Sequence, residues 1–171
     1  LDTNNSIQVI IKGAQDGQPQ YQRQLVDQFS DYLYAICIRY LGDREDAKDG
    51  LQKSWIRAFK NLHLYDSDKG AFKSWMSKIT INTCLNELKK NKEFILPIQD
   101  DIQIAFNDEA HPIDKMEAGK ILEIVAQLPE HYREVFNMAA IDGFSHKEIG
   151  ELLGVTELVS RTRLKRARNI I

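Results

Sequence analysis

Cysteine is scarce in this chain, with only Cys37 and Cys84 among 171 residues. That excludes the disulfide framework of a small secreted domain, and both cysteines stand in amphipathic helical patterns, where they serve as small core residues. Long apolar runs are also missing. The longest is Leu33 to Ile38, far short of the roughly 18 residues a membrane span needs. With no charged-then-apolar leader at its start, the sequence reads as a cytoplasmic protein without a membrane span. No glycine-rich phosphate loop is present. His131 with Glu134, and His63 with Asp66, have one-turn spacing but no further ligands in a metal-binding arrangement, so they read as surface or capping residues. Neither a metal, a cofactor nor a catalytic residue is expected, and an enzyme is the weakest reading.

Net charge is small as well, at -2. It is unevenly spread. Between Ala71 and Lys92 five lysines face Glu87 alone, and between Val155 and Ile171 five basic residues face Glu157 alone. From Ile98 to Glu117 six acids face only Lys115, with Pro97 and Pro112 near the ends. Two basic segments separated by an acidic, proline-flanked stretch read as two modules joined by a flexible linker.

What the chain does have is helical periodicity, and no strand pattern competes. Tyr21, Leu25, Phe29, Tyr32, Leu33, Ile36 and Tyr40 form a stripe that stops at Gly42. Asp43 can cap the next helix, whose apolar positions are Ala47, Leu51, Trp55, Ala58, Phe59 and Leu62. Gly50 inside it costs up to about 1 kcal/mol relative to alanine. A polar loop, Tyr65 to Gly70, precedes a third helix with Phe72, Trp75, Met76, Ile79, Leu85 and Leu88 apolar.

A second module begins near Ile113, with Met116, Ile121, Leu122, Val125 and Leu128 on its first helix. Pro129 suits the first turn of the next, which carries Tyr132, Val135, Phe136 and Ala139. After Gly143, Ser145 and Glu148 have capping-box spacing, Gly150 sits where a small residue lets a neighbouring helix approach, and Gly154 ends the helix. Thr156 can cap a last helix that buries Ser160, Leu164 and Ala167 and turns Glu157, Leu158, Arg161, Thr162 and Lys165 outward. This is a helix-turn-helix with a basic end, the arrangement that lays its second helix in a DNA major groove. The expected fold is all-α. It comprises an N-terminal tail over 1–18, partly disordered, a three-helix module over 19–92, a linker over 93–112 and a four-helix module over 113–171.

In this order, Asp43-Arg-Glu-Asp-Ala-Lys-Asp-Gly-Leu-Gln-Lys-Ser-Trp-Ile-Arg-Ala-Phe59, Phe72-Lys-Ser-Trp-Met-Ser-Lys-Ile79 with Asn82, Leu128-Pro-Glu-His-Tyr-Arg-Glu-Val135, Gly143-Phe-Ser-His-Lys-Glu-Ile-Gly-Glu-Leu-Leu-Gly154 and Arg163-Leu-Lys-Arg-Ala-Arg168 resemble the extracytoplasmic function sigma factors of bacterial RNA polymerase. The resemblance covers nearly everything after Tyr21. It implies a first module that binds the polymerase core through Asp46, Asp49, Gln52, Lys53 and Ile56. That module would hold the melted minus-ten strand through Lys73, Lys78, Asn82, Asn86 and Lys89, with a flipped base at the Tyr65 to Gly70 loop. For Trp75, core packing and base stacking both stay open. The second module would bind the minus-thirty-five duplex, with Arg161 and Lys165 at base edges, Thr162 on the same face, and Arg163, Arg166 and Arg168 on phosphates. Many relatives are held by an anti-sigma protein, which the resemblance adds as a partner.

The chain departs from the family at Gly50, where an apolar residue is usual, at Lys53, where an acid is common, and at Leu158 and Val159, where glycine then threonine are usual. Two alternatives stand beside the sigma reading. One is a stand-alone helix-turn-helix regulator, which normally dimerises, whereas this sequence offers no clear dimerisation helix and reads as a monomer when free. The other is a sigma-like interaction module without promoter activity.

Overall fold

The computed structural model describes residues 3–92 and 124–171, and every regular element among them is helical, which makes the fold all-α. The acidic linker and the helix start near Ile113, with Met116, Ile121 and Leu122, lie outside the described residues. Two compact units emerge, 1–87 and 88–171. Among the described residues no helix is long and apolar enough to cross a membrane.

Residues 3–15, expected to belong to a partly disordered tail, instead form helix α1 (Thr3–Gln15). Tertiary contacts hold it. Ile11 and Ala14 are buried, and Gly13 admits the Tyr21 ring so closely that a Cβ there would collide with it. Gln15 Nε2 donates to the Leu62 carbonyl at 3.0 Å, tying α1 to the far end of the next-but-one helix. The first unit thus has one helix more than periodicity predicts, because a helix this short draws most of its stability from packing.

Helix α2 (Pro19–Leu41) ends at Gly42, whose φ of 78° suits a left-handed cap. Asp43 then caps α3 (Arg44–Asn61), its Oδ1 accepting from the Glu45 and Asp46 amides at 2.8 and 3.1 Å. The Asp46 and Glu45 amides hold that carboxyl below the usual aspartate range. Leu25, Leu33, Ile36, Cys37 and Tyr40 of α2 form the core with Ala47, Trp55 and Ala58 of α3 and with Phe72, Met76 and Cys84 of α4 (Phe72–Lys92). Two residues depart from the predicted stripes. Tyr32 is 40% exposed, and Gly50 is buried where the sequence suggested only a helix weakness. A Cβ on Gly50 would lie 2.9 Å from Leu41 Cδ1 and 3.6 and 3.8 Å from the Cys37 and Cys84 sulfurs, so the absent side chain lets α3 sit close to α2 and α4.

In the second unit the helical residues 124–127 lead to Pro129, which caps α5 (Glu130–Phe136) rather than opening its first turn. Helix α5 runs on through a π turn, Asn137–Ile141, that periodicity does not reveal. Ser145 and Glu148 form the capping box of α6 (His146–Leu153), which Gly154 ends at φ 70°. Thr156 Oγ1 accepts from the Val159 amide at 3.2 Å and starts α7 (Glu157–Ile170). The missing Cβ of Gly150 makes room for the Val155 carbonyl, 2.7 Å from the Cβ position, and for the Glu157 amide at 3.7 Å, so the glycine admits both the tight turn and the start of α7.

Candidate nucleic-acid interfaces

In the first unit, Asp46, Asp49, Gln52, Lys53 and Ile56 are all exposed on α3. Ile56 is 49% exposed, an apolar side chain that water disfavours. Lys53 is not simply solvated, since its Nζ lies 2.5 Å from Glu87 Oε2 on α4 and this hydrogen bond raises its pKa.

Along α4, Lys78, Asn82, Asn86 and Lys89 are exposed at intervals of four, four and three residues, which places them on one stripe. Two amides flanked by two cations along a helix suit unpaired base edges and a nucleic-acid backbone. Lys73, also exposed, lies off this line near the start of α4, with its Nζ 4.0 Å from the centre of the Tyr32 ring. The Tyr32 hydroxyl and Ser77 Oγ are 3.1 Å apart, so tyrosine and lysine are held together on the surface. Sequence periodicity assigned Tyr32 to the core and so missed this pair.

Lys73 also borders a cleft of about 690 Å³ between α1, α2 and the 65–70 loop. Phe29, Tyr65 and Phe72 give it aromatic walls, and Ile7 and Ile11 of α1 form another side. The Phe72 ring packs on Phe29 at 5.2 Å and on Tyr65 at 5.4 Å, the latter edge to face at 90°. Tyr65 donates its hydroxyl proton to the Gly70 carbonyl at 3.1 Å, closing the loop, and burial raises its pKa. Asp66 caps the short turn Ser67–Lys69 by accepting from the Asp68 amide at 3.0 Å. Trp75 is half-buried and tilts against Tyr65 and Phe72, at 5.6 and 5.7 Å. An aromatic-walled cleft beside a lysine is the chemistry that accepts an unstacked base. The α1 wall is what sequence reasoning lacked, because it had assigned those residues to a tail.

In the second unit, α7 buries Ser160, Leu164 and Ala167 and exposes Glu157, Leu158, Arg161 and Arg168. Thr162, Arg163, Lys165 and Arg166 are half-buried. Arg161 pairs with Glu157, Nη2 to Oε1 at 2.6 Å, and this pairing lowers the Glu157 pKa. Arg166, read from sequence as a phosphate contact, turns its Nη1 toward the Tyr132 hydroxyl at 3.4 Å and thereby joins α7 to α5. His146 Nδ1 lies 2.8 Å from Ser160 Oγ, fixing α6 against α7, and burial followed by the Arg161 charge lowers its pKa. The result is a short, firmly seated helix with a basic face, suited to a major groove. His131 packs its ring on Tyr132 at 4.0 Å.

The family model for Sigma-70 region 2 matches residues 25–94, and that for Sigma-70 region 4 matches 118–171. The ECF RNA polymerase sigma factor SigW of Bacillus subtilis is 27% identical over 177 residues, covering 94% of this chain and 92% of that one. The ECF RNA polymerase sigma factor SigE of Mycolicibacterium smegmatis is 29% identical over 161 residues, covering 91% of this chain and 62% of its own. The fold resembles that of the sigma factor RpoE of Bartonella quintana, solved in complex with the anti-sigma factor NepR, with a TM-score of 0.52 and 19% identity over 86% of this chain and 92% of that one. With both regions matched in order over most of its length, the chain belongs to the sigma-70 family, in the extracytoplasmic function group.

Proposed function

We propose that the chain joins the RNA polymerase core through the α3 face and directs it to promoter DNA. In this reading the α4 stripe and the aromatic cleft hold the melted minus-ten strand, and α7 reads the minus-thirty-five duplex. The observation that carries it is the pairing of two unlike surfaces in one chain. A stripe of lysines and asparagines on α4 and an aromatic cleft bordered by Lys73 suit unpaired bases, and a capped basic recognition helix suits duplex, in the order of regions 2 and 4. Polymerase supplies the chemistry and this chain supplies selection, acting in the cytoplasm as a monomer until it meets the core. An anti-sigma protein is the regulatory partner this reading expects.

The test is promoter-dependent transcription with purified core polymerase, comparing the native chain with Asp49→Ala plus Gln52→Ala and with Arg161→Ala plus Lys165→Ala. Initiation that requires the chain and falls in both variants supports the assignment of each face. A chain that neither joins the core nor directs initiation, yet binds duplex DNA alone, is instead a stand-alone regulator. One that joins the core without directing initiation is an interaction module.

A further inference from the structure

Leu158 is the second residue of α7 and is 51% exposed. It lies three residues before Arg161 and four before Thr162, so the three share one helix face. The polar groups around it are engaged within the helix. Glu157 Oε1 accepts from Arg161 Nε and Nη2, and Thr162 Oγ1 donates its only proton to the Leu158 carbonyl at 2.9 Å. Thr162 therefore has no hydroxyl proton left to offer a base. What the start of the helix presents beside the Arg161 guanidinium is a branched hydrocarbon side chain, half of it in water.

In the major groove the 5-methyl group of thymine is the apolar feature a side chain can recognise, and aliphatic side chains are its partners. We propose that Leu158 packs against a thymine methyl in the element read by α7, next to the base contacted by Arg161. The inference rests on the promoter reading and adds a sequence requirement to it, a thymine neighbouring the Arg161 base.

The experiment takes duplexes selected from a randomised pool by holoenzyme carrying the native chain, then replaces each thymine of the α7 element by deoxyuridine, which removes only the methyl. One replacement is expected to weaken binding by about 3- to 10-fold, the scale of one buried methyl. Holoenzyme with Leu158→Ala loses that sensitivity and binds both duplexes equally, whereas Leu158→Met retains it. Unchanged melting of both variants excludes a folding effect. A selected element without thymine, a native holoenzyme indifferent to every methyl, or a sensitivity that persists in Leu158→Ala overturns the contact and leaves the promoter reading standing. A holoenzyme that selects no duplex overturns both.

Discussion

Lys53 on α3 and Glu87 on α4 form an ion pair across the first unit, with Nζ 2.5 Å from Oε2. The lysine side chain is 45% exposed and the glutamate 23%, so solvent screens much of the attraction. A basic residue thus stands on an otherwise acidic face with its charge directed back into the module. Lys53→Ala is expected to change unfolding free energy by no more than about 1 kcal/mol. It is also expected to weaken core binding less than Asp49→Ala plus Gln52→Ala does. Titration of labelled chain with core polymerase checks this, and a larger loss from Lys53→Ala would mean that its ammonium engages the polymerase.

Gly50 and Gly150 are both buried in helices, yet they should respond differently to alanine. At Gly50 the new methyl meets Leu41 Cδ1, the far end of a flexible side chain, and the gain in helix propensity of up to about 1 kcal/mol offsets the shift. Little net change is expected. At Gly150 the obstacle is the Val155 backbone carbonyl at 2.7 Å, which cannot yield without opening the turn. Gly150→Ala is expected to destabilise the second unit by about 1–3 kcal/mol and to weaken duplex selection with it. Denaturant unfolding of the two variants provides the comparison, and equal losses would contradict it.

His146 gives the second unit a pH dependence. Its folded pKa lies below the ordinary 6.5, so the unfolded chain binds more protons in the interval between the two values. The contribution is present at neutral pH and above, and is lost as pH falls through that interval. Melting of the second unit should therefore drop on mild acidification, and His146→Gln, which has no titrating group, should flatten the drop. An identical acid profile in the variant would assign the dependence elsewhere.

The Cys84 thiol is pushed well above its ordinary value by its hydrogen bond with Cys37 and by burial. Both cysteines are free and buried. Since the thiolate is the reactive form, aromatic disulfide reagents should leave both thiols unmodified in the native chain and label both on unfolding. Rapid native labelling of either would mean that α2 and α4 separate around Gly50.

Much of this fold was legible because helix ends are local events. Asp43, Ser145 with Glu148, and Thr156 each satisfy backbone amides two or three residues away, and Gly42 and Gly154 end their helices where the pattern stops, both in left-handed conformation. Periodicity gave the outward face of α7 in part: Glu157, Leu158 and Arg161 are exposed opposite Ser160, Leu164 and Ala167, whereas Thr162 and Lys165, expected on the same face, are half-buried.

Tertiary structure decided what depends on partners far along the chain. Residues 3–15 form a helix that Gly13 packs on Tyr21 and Gln15 ties to Leu62, and that helix in turn supplies a wall of the aromatic cleft. Tyr32 leaves the core for Lys73 and Ser77, Arg166 turns toward Tyr132, and Gly50 fills no space so that Leu41 and two cysteines can. A capping residue carries its own instruction over one helical turn. A packing residue acts through neighbours that a linear sequence does not identify, so the order of the helices was written locally, while the shape of the site was set by which side chains meet across them.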